Sequence, residues 1–242
     1  MLENYPKKRP KLSKELLHIY DTHYKSNRDG STTASGLAQK MERWLHQKVS
    51  NDVDRMHNKK TLEIGAGTLN QLSFEESSHY DIIEPYSKLY KDSKFLSKIN
   101  RIYNDIDDID ISAKYDRITS IATFEHITDL PKVVAKSCVL LEEGGHLRTS
   151  IPNEGTFLWK LGYTLTTGLE FRLKYGLRYS ELMRYEHVNS AKEIGAILDY
   201  FFEENKCSVF GISKNFSFYR FYESATPNLD RAKSYLDKYN AL

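Results

Sequence analysis

The chain has 242 residues, 35 Lys and Arg against 33 Asp and Glu, and 40% hydrophobic residues, the make-up of a globular protein long enough to bury a substantial core. A formal net charge of +2 gives no general case for nucleic acid or a membrane surface: no nucleic-acid partner is expected, and a membrane-surface role would have to rest on a local stretch such as Leu158, Leu161, Leu165 and Leu169. Cys138 and Cys207 lie far apart without a CxxC, which argues against a disulfide framework or a zinc cluster and fits a reduced, cytoplasmic setting.

The opening stretch "MLENYPKKRPKLSKELL" is basic, carries two prolines and has no uninterrupted apolar run, so neither a signal peptide nor an anchor is expected. No window is long and apolar enough for a stable membrane span. Residues 1–58 are polar and read as a helical cap, with helices around "KELLHIYDTHY" and "GLAQKMERWLHQKV". In the second, Leu37, Met41, Trp44, Leu45 and Val49 recur at helical spacing, so one face should pack on something larger. Lys7, Lys8, Arg9 and Lys11 read as a solvated arm.

Residues 59–151 alternate between short runs rich in Ile, Leu, Val and Tyr and polar or helical stretches. Strands are expected at "KTLEI", "YDIIE", "NRIY", "YDRITSIA" and "GHLRTSI", and this alternation implies a mostly parallel, doubly wound α/β sheet. Ligands bind such a sheet outside the carboxyl ends of its strands. The residues there are polar in order: Glu63, Gly65 and Gly67; Glu84 and Pro85; Asn104 and Asp105; Thr123, Glu125 and His126. Glycines let a backbone turn tightly against a ligand. A carboxylate about 20 residues further on, here Glu84, is placed to accept ribose hydroxyl protons. Asp105 could accept from an exocyclic amino group. Each also has a plainer reading: a tight turn, a solvated strand end, an acidic surface loop. Their succession along one sheet edge favours an adenosine-containing ligand.

"LEIGAGT", "DIIEP", "NDIDDI", "YDRITSIATFEHITDL" and "EEGGHLRTSIPN" together resemble the class I S-adenosylmethionine-dependent methyltransferases. The resemblance implies a seven-stranded Rossmann-like sheet. It assigns Glu63, Gly65, Ala66 and Gly67 to the methionine portion of S-adenosylmethionine, Glu84 and Pro85 to the ribose, and Asp105 and Ile106 to the adenine. Ile121, Ala122 and Thr123 would lie beside the sulfonium. An NAD-type oxidoreductase is disfavoured, since the first loop begins with an acid and lacks the full G-x-G-x-x-G fingerprint. One departure is local: Leu69, Asn70 and Gln71 follow the second glycine, so the first helix should be short or absent. Asn70 is expected either to cap that turn or to touch the cofactor. The terse "GAGTLNQL" followed by "YDIIEP" resembles bacterial methyltransferases of cell-surface polysaccharide pathways.

The single domain expected over residues 59–242 carries a lid insertion at 155–186. The lid holds Phe157, Trp159, Tyr163, Phe171, Tyr175, Tyr179 and Tyr185, with Lys160, Arg172, Lys174, Arg178 and Arg184 against Glu170 and Glu181. Trp159, Tyr163, Arg172, Tyr179 and Arg184 are the candidates for binding an anionic acceptor, the plainer reading being an amphipathic lid with solvated charges. Ser190 and Glu193 form a capping box ahead of an apolar-periodic helix. "KCSVFGIS" and "FSFYRFYES" read as strands joined at a Lys-Asn turn, which resembles the family's antiparallel C-terminal hairpin and completes seven strands.

Methyl transfer from S-adenosylmethionine to a small polar acceptor is the implied activity, with a sugar or nucleotide-linked sugar hydroxyl expected. A hydroxyl benefits from a base, and His126 and His187 are the candidates beside Glu125. A metal-assisted version would draw on the same three residues. The carboxylate that such a pattern places ahead of them is Ala122, however, and no metal is expected. RNA or protein methylation, and a non-catalytic cofactor-binding partner, are the alternatives. The oligomeric state is not legible.

Overall fold

The computed structural model describes residues 1–20, 36–53, 59–156, 158–160 and 169–240. Seven strands, β1 (Lys60–Ile64), β2 (His79–Ile83), β3 (Arg101–Tyr103), β4 (Tyr115–Ile121), β5 (Leu141–Pro152), β6 (Phe202–Ser213) and β7 (Phe216–Pro227), form one sheet in the order β3-β2-β1-β4-β5-β7-β6. The first five pair in parallel, and β7 runs antiparallel between β5 and β6. The doubly wound, mostly parallel sheet is thus as the alternation implied, and the antiparallel C-terminal hairpin is as the resemblance implied. β5 starts at Leu141, earlier than expected, and a register shift between Tyr115 and Arg117 absorbs the extra residues as a bulge. The strand order reverses between β1 and β4, where such folds bind ligands.

The helices that frame the sheet are α1 (Gly36–Ser50), α2 (Leu130–Leu140), α3 (Leu169–Tyr175), α4 (Tyr179–Glu186), α5 (Ala191–Phe201) and α6 (Leu229–Asn240). Successive strand residues point to opposite faces, and here the two faces differ in chemistry. Leu62, Ile64, Ile118, Leu147 and Ile151 pack against Val134 and Cys138 of α2, Ile194, Ile197 and Leu198 of α5, and Ala232 of α6, all buried in one cluster. At about 1.5–3 kcal/mol for each large apolar side chain fully buried, this face supplies most of the hydrophobic stabilisation.

The alternating positions Thr61, Glu63, Arg117, Thr119, Arg148 and Ser150 are also buried, although polar. Their partners come largely from α1. Arg117 Nη2 and Arg148 Nε donate to the Val49 carbonyl at 2.9 and 3.0 Å, Arg148 Nη2 to Lys48 at 2.8 Å, and Ser150 Oγ to Leu45 at 3.0 Å. Carbonyls in the last turn of a helix have no partner within it, and the negative end of the helix dipole favours a cation there. Each guanidinium is also ion-paired: Arg117 with Glu75 at 2.9 Å and Asp52 at 3.1 Å, Arg148 with Asp52 at 3.3 Å and with Glu223. The second N-terminal helix, expected within a cap, is therefore a covering layer of the sheet. Residues 14–20 are helical too, and Leu16 and Ile19 pack with Phe171 and Leu182, joining this segment to α3 and α4. No described helix is long and apolar enough to cross a membrane.

Candidate active site

The carboxyl edge of the parallel strands brings two groups of residues together. In the first, the chain leaves β1 through Gly65 (φ +72°) and Gly67 (φ +53°), both in the left-handed region that a side chain disfavours. A Cβ on Gly65 would lie 2.4 Å from the Thr123 side chain, whereas one on Gly67 would meet nothing within 4 Å. The first glycine lets strand ends pack, and the second opens the turn toward unfilled space. Glu84, buried at the end of β2, braces the turn: Oε2 accepts from Gly67 N–H at 2.9 Å and Oε1 from Tyr86 N–H at 3.0 Å.

Beyond the glycines a four-residue 3₁₀ turn, Asn70–Ser73, replaces the long helix, as the short spacing to β2 required. Asn70 is exposed and makes no capping hydrogen bond, so the cap reading fails. Gln71 is the buried polar residue of that turn. Its amide donates to Glu75 Oε2 at 2.8 Å and its oxygen lies 2.7 Å from His46 Nδ1, tying the turn to the Arg117–Glu75 pair and to α1. Glu63 lies inside β1 rather than past it, accepting from the Tyr80 hydroxyl at 3.0 Å. Burial, with Glu75 nearby, pushes its pKa up to about 8.

Asp105 is exposed and caps the turn Ile106–Asp108, accepting from Asp107 N–H at 2.9 Å. Ile106 is buried in the main core with Ile83 and Ile109, so its side chain is a packing group. β4 ends at Ile121, and Ala122 turns the chain at φ +49°.

The second group stands after β4 and β5. Glu125, in the 3₁₀ turn Phe124–His126, is buried, with Oε1 3.7 Å from His126 Nε2 and Oε2 without a hydrogen-bond partner. His126 Nδ1 lies 3.1 Å from the Glu186 carbonyl. His187, at the end of α4, meets the His126 ring edge-on at 4.8 Å between centroids. Its Nδ1 is 2.9 Å from Glu154 Oε2, which also accepts from Trp159 Nε1. Trp159 stacks on His187 and meets Tyr219 edge-on. Burial raises the Glu125 pKa to about 7, the His187 ring opposing it. Burial alone would depress His187, but the carboxylates of Glu154, Glu125 and Glu186 outweigh it and its pKa is raised.

Distant segments hold this group in place. Asn189, fully buried, donates to the carbonyls of Phe124 and Ile127 at 2.8 and 2.7 Å and accepts from Tyr5 O–H at 2.8 Å. Arg9 donates to the carbonyls of Tyr185 (2.5 Å), Glu186 (3.1 Å) and His126 (2.7 Å). Lys7 Nζ reaches the Val188 carbonyl at 2.8 Å and Glu193 at 2.5 Å. The arm read as solvated is in this respect a strap, because its cations satisfy carbonyls that the loops leave open.

No protein-family model matches the chain, and no curated protein matches it in sequence. Solved structures do match in shape. The plantazolicin methyltransferase BpumL, in complex with a monoazolic desmethylPZN analog and SAH, superposes with a TM-score of 0.59 at 15% identity, over 88% of this chain and 93% of that one. The magnesium protoporphyrin IX methyltransferase ChlM from Synechocystis PCC 6803, with bound SAH, gives 0.53 at 14% identity over 88% and 100%. The N-methyltransferase NodS from Bradyrhizobium japonicum WM9, in complex with S-adenosyl-L-homocysteine, gives 0.53 at 15% over 81% and 90%. The chain has the class I methyltransferase fold.

Within that fold, the candidates for the acceptor side divide. Trp159 stands beside His187. Tyr179 instead packs on Phe171 at 5.3 Å in the cluster with Leu16 and Ile19, so it serves the lid's own core. Arg172 and Arg184 are exposed, and only Arg184 lines the open groove shared with Lys8 and His187. Tyr163 lies outside the described residues. Glu154, Asn189, Gln71, Tyr219 and Arg9 escaped the sequence reading. Glu154 follows β5 directly and was open to the strand-end rule. The other four carry no local signal, since Asn189, Tyr219 and Arg9 find their partners far along the chain and Gln71 is fixed also by the remote His46.

Proposed function

We propose that this chain is an S-adenosylmethionine-dependent methyltransferase acting in the cytoplasm on a hydroxyl of a small polar acceptor. A sugar or nucleotide-linked sugar of cell-surface polysaccharide synthesis is the first class to test. The reading rests on one juxtaposition: a glycine turn open at Gly67 and braced by Glu84 shares a sheet edge with the Glu125, His126, His187 and Glu154 cluster.

S-adenosylmethionine supplies, when bound, a methyl group already activated on a sulfonium, so alignment of the acceptor does much of the remaining work. Gly65 and Gly67 leave backbone room for it. Glu84 spends one lone pair of each oxygen on Gly67 and Tyr86, and the others can accept from ribose hydroxyls. The exposed Asp105 carboxylate is available to an adenine amino group. His187 holds its Nδ1 on Glu154, which orients the ring and leaves Nε2 to receive the acceptor's proton. Trp159 and Tyr219 supply an aromatic wall suited to the apolar face of a sugar, and Lys8 and Arg184 a basic rim suited to a phosphate.

Incubation with S-adenosylmethionine and a panel of sugars and nucleotide sugars, read by mass spectrometry, tests the proposal. A product heavier by one methylene unit is expected, together with S-adenosylhomocysteine. No such product across the panel, with turnover instead on RNA or protein, would sink the small-acceptor reading.

A further inference from the structure

Building on that reading of the acceptor side, we propose that Glu125, His126 and His187 form a site for a divalent first-row transition-metal ion that holds the acceptor's hydroxyl oxygen. One ligand atom from each residue lies within 4.8 Å of the others. Metal–ligand bonds of about 2.1 Å at tetrahedral angles set ligand atoms about 3.4 Å apart, so the widest pair has to close by about 1.4 Å when the ion binds. His126, one-third exposed at 33%, has room to turn.

The surroundings are those of ligands. A metal-bound imidazole almost always gives its other ring nitrogen to a carboxylate or a backbone carbonyl, which fixes ring and tautomer. Both histidines do this here, His187 through Nδ1 to Glu154 and His126 through Nδ1 to the Glu186 carbonyl. Glu154 is itself held by Trp159. The remaining nitrogen of each ring is Nε2, and that of His126 already faces Glu125. The second observation is independent of the histidines. Glu125 is 1% exposed, and its Oε2 has no hydrogen-bond partner. A buried carboxylate oxygen left bare costs free energy that a cation would recover.

Donor type narrows the ion. Two imidazoles and one carboxylate suit the Mn²⁺ to Zn²⁺ series, whereas Mg²⁺ and Ca²⁺ call for oxygen ligands. Three protein ligands leave coordination positions open for substrate oxygen. An ion there would favour loss of the hydroxyl proton to water, a task otherwise left to an imidazole.

Mn²⁺ titration of the whole chain, followed by electron paramagnetic resonance above the imidazole pKa, tests the site. Calorimetry with S-adenosylhomocysteine on the same samples reports both the fold and the cofactor reading. One Mn²⁺ per chain is expected. Glu125→Gln and His187→Ala should each weaken it about tenfold or more, and Glu154→Gln, which touches no ion, by about ten- to a hundredfold. His79→Ala, on the remote edge of β2, should leave it unchanged. No saturable Mn²⁺ binding in a chain that binds S-adenosylhomocysteine, or Mn²⁺ binding indifferent to all three substitutions, overturns the metal site and leaves the methyltransferase reading standing. Mn²⁺ binding lost in these variants, by a chain that never binds S-adenosylhomocysteine, supports the site and sinks that reading instead.

Discussion

The glycine half and the histidine half of the sheet edge are built by opposite strategies. In the glycine half the turn, its bracing carboxylate and the short turn behind it come from residues 65–84, and the support beneath is a buried polar network of Gln71, Glu75 and Arg117. In the histidine half the functional groups stand on two loops far apart in sequence, Glu125 and His126 on one and His187 on the other, and residues 5–9 are needed to hold the loops together. A local motif suffices to shape a backbone against a ligand. A set of convergent side chains needs positioning from far along the chain.

This contrast can be broken at either end, and the glycine half should respond more strongly. Arg117→Met keeps much of the side-chain volume but leaves Glu75 and Asp52 buried without their shared cation, and denaturant unfolding should show a loss of about 3–5 kcal/mol. Pairing it with Glu75→Leu should recover a good part of that loss, because the uncompensated charge goes too. If the single variant were as stable as the parent, the network would not be the support described. Arg9→Ala acts on the other half and should cost on the order of 1 kcal/mol, since water can reach the half-exposed carbonyls it vacates. Its effect should instead fall on turnover: a lower kcat/KM for the acceptor with S-adenosylhomocysteine affinity unchanged. Equal losses in both would place the strap under the whole edge rather than under the histidines.

The same contrast explains what was legible in the sequence. Strand runs of Ile, Leu and Val, the GxG turn, Glu84 and the Ser190–Glu193 capping box are local signals, and the parallel strands, the turn and the cap follow them. The buried arginines were invisible because a charged residue in a strand pattern reads as solvent-facing. Arg117 and Arg148 face α1 instead, and meet carbonyls whose need for a donor depends on where that helix ends. Lys7 and Arg9 read as an exposed basic arm for the same reason: their partners, the carbonyls of residues 126 and 185–188, come together only in the fold. For Tyr179 the sequence carries no mark of which side of the lid it packs on, and Leu16 and Ile19 arrive from the far end of the chain to cover Phe171 beside it.

The central claim is that the glycine half holds S-adenosylmethionine through Gly65, Gly67 and Glu84. Calorimetric titration of the chain and of Glu84→Ala with S-adenosylhomocysteine tests it most directly, with a thermal melt of each to show that both are folded. One site per chain, weakened strongly by the substitution in a folded protein, is the predicted result. Affinity unchanged by Glu84→Ala, or no binding to the parent chain, would contradict it.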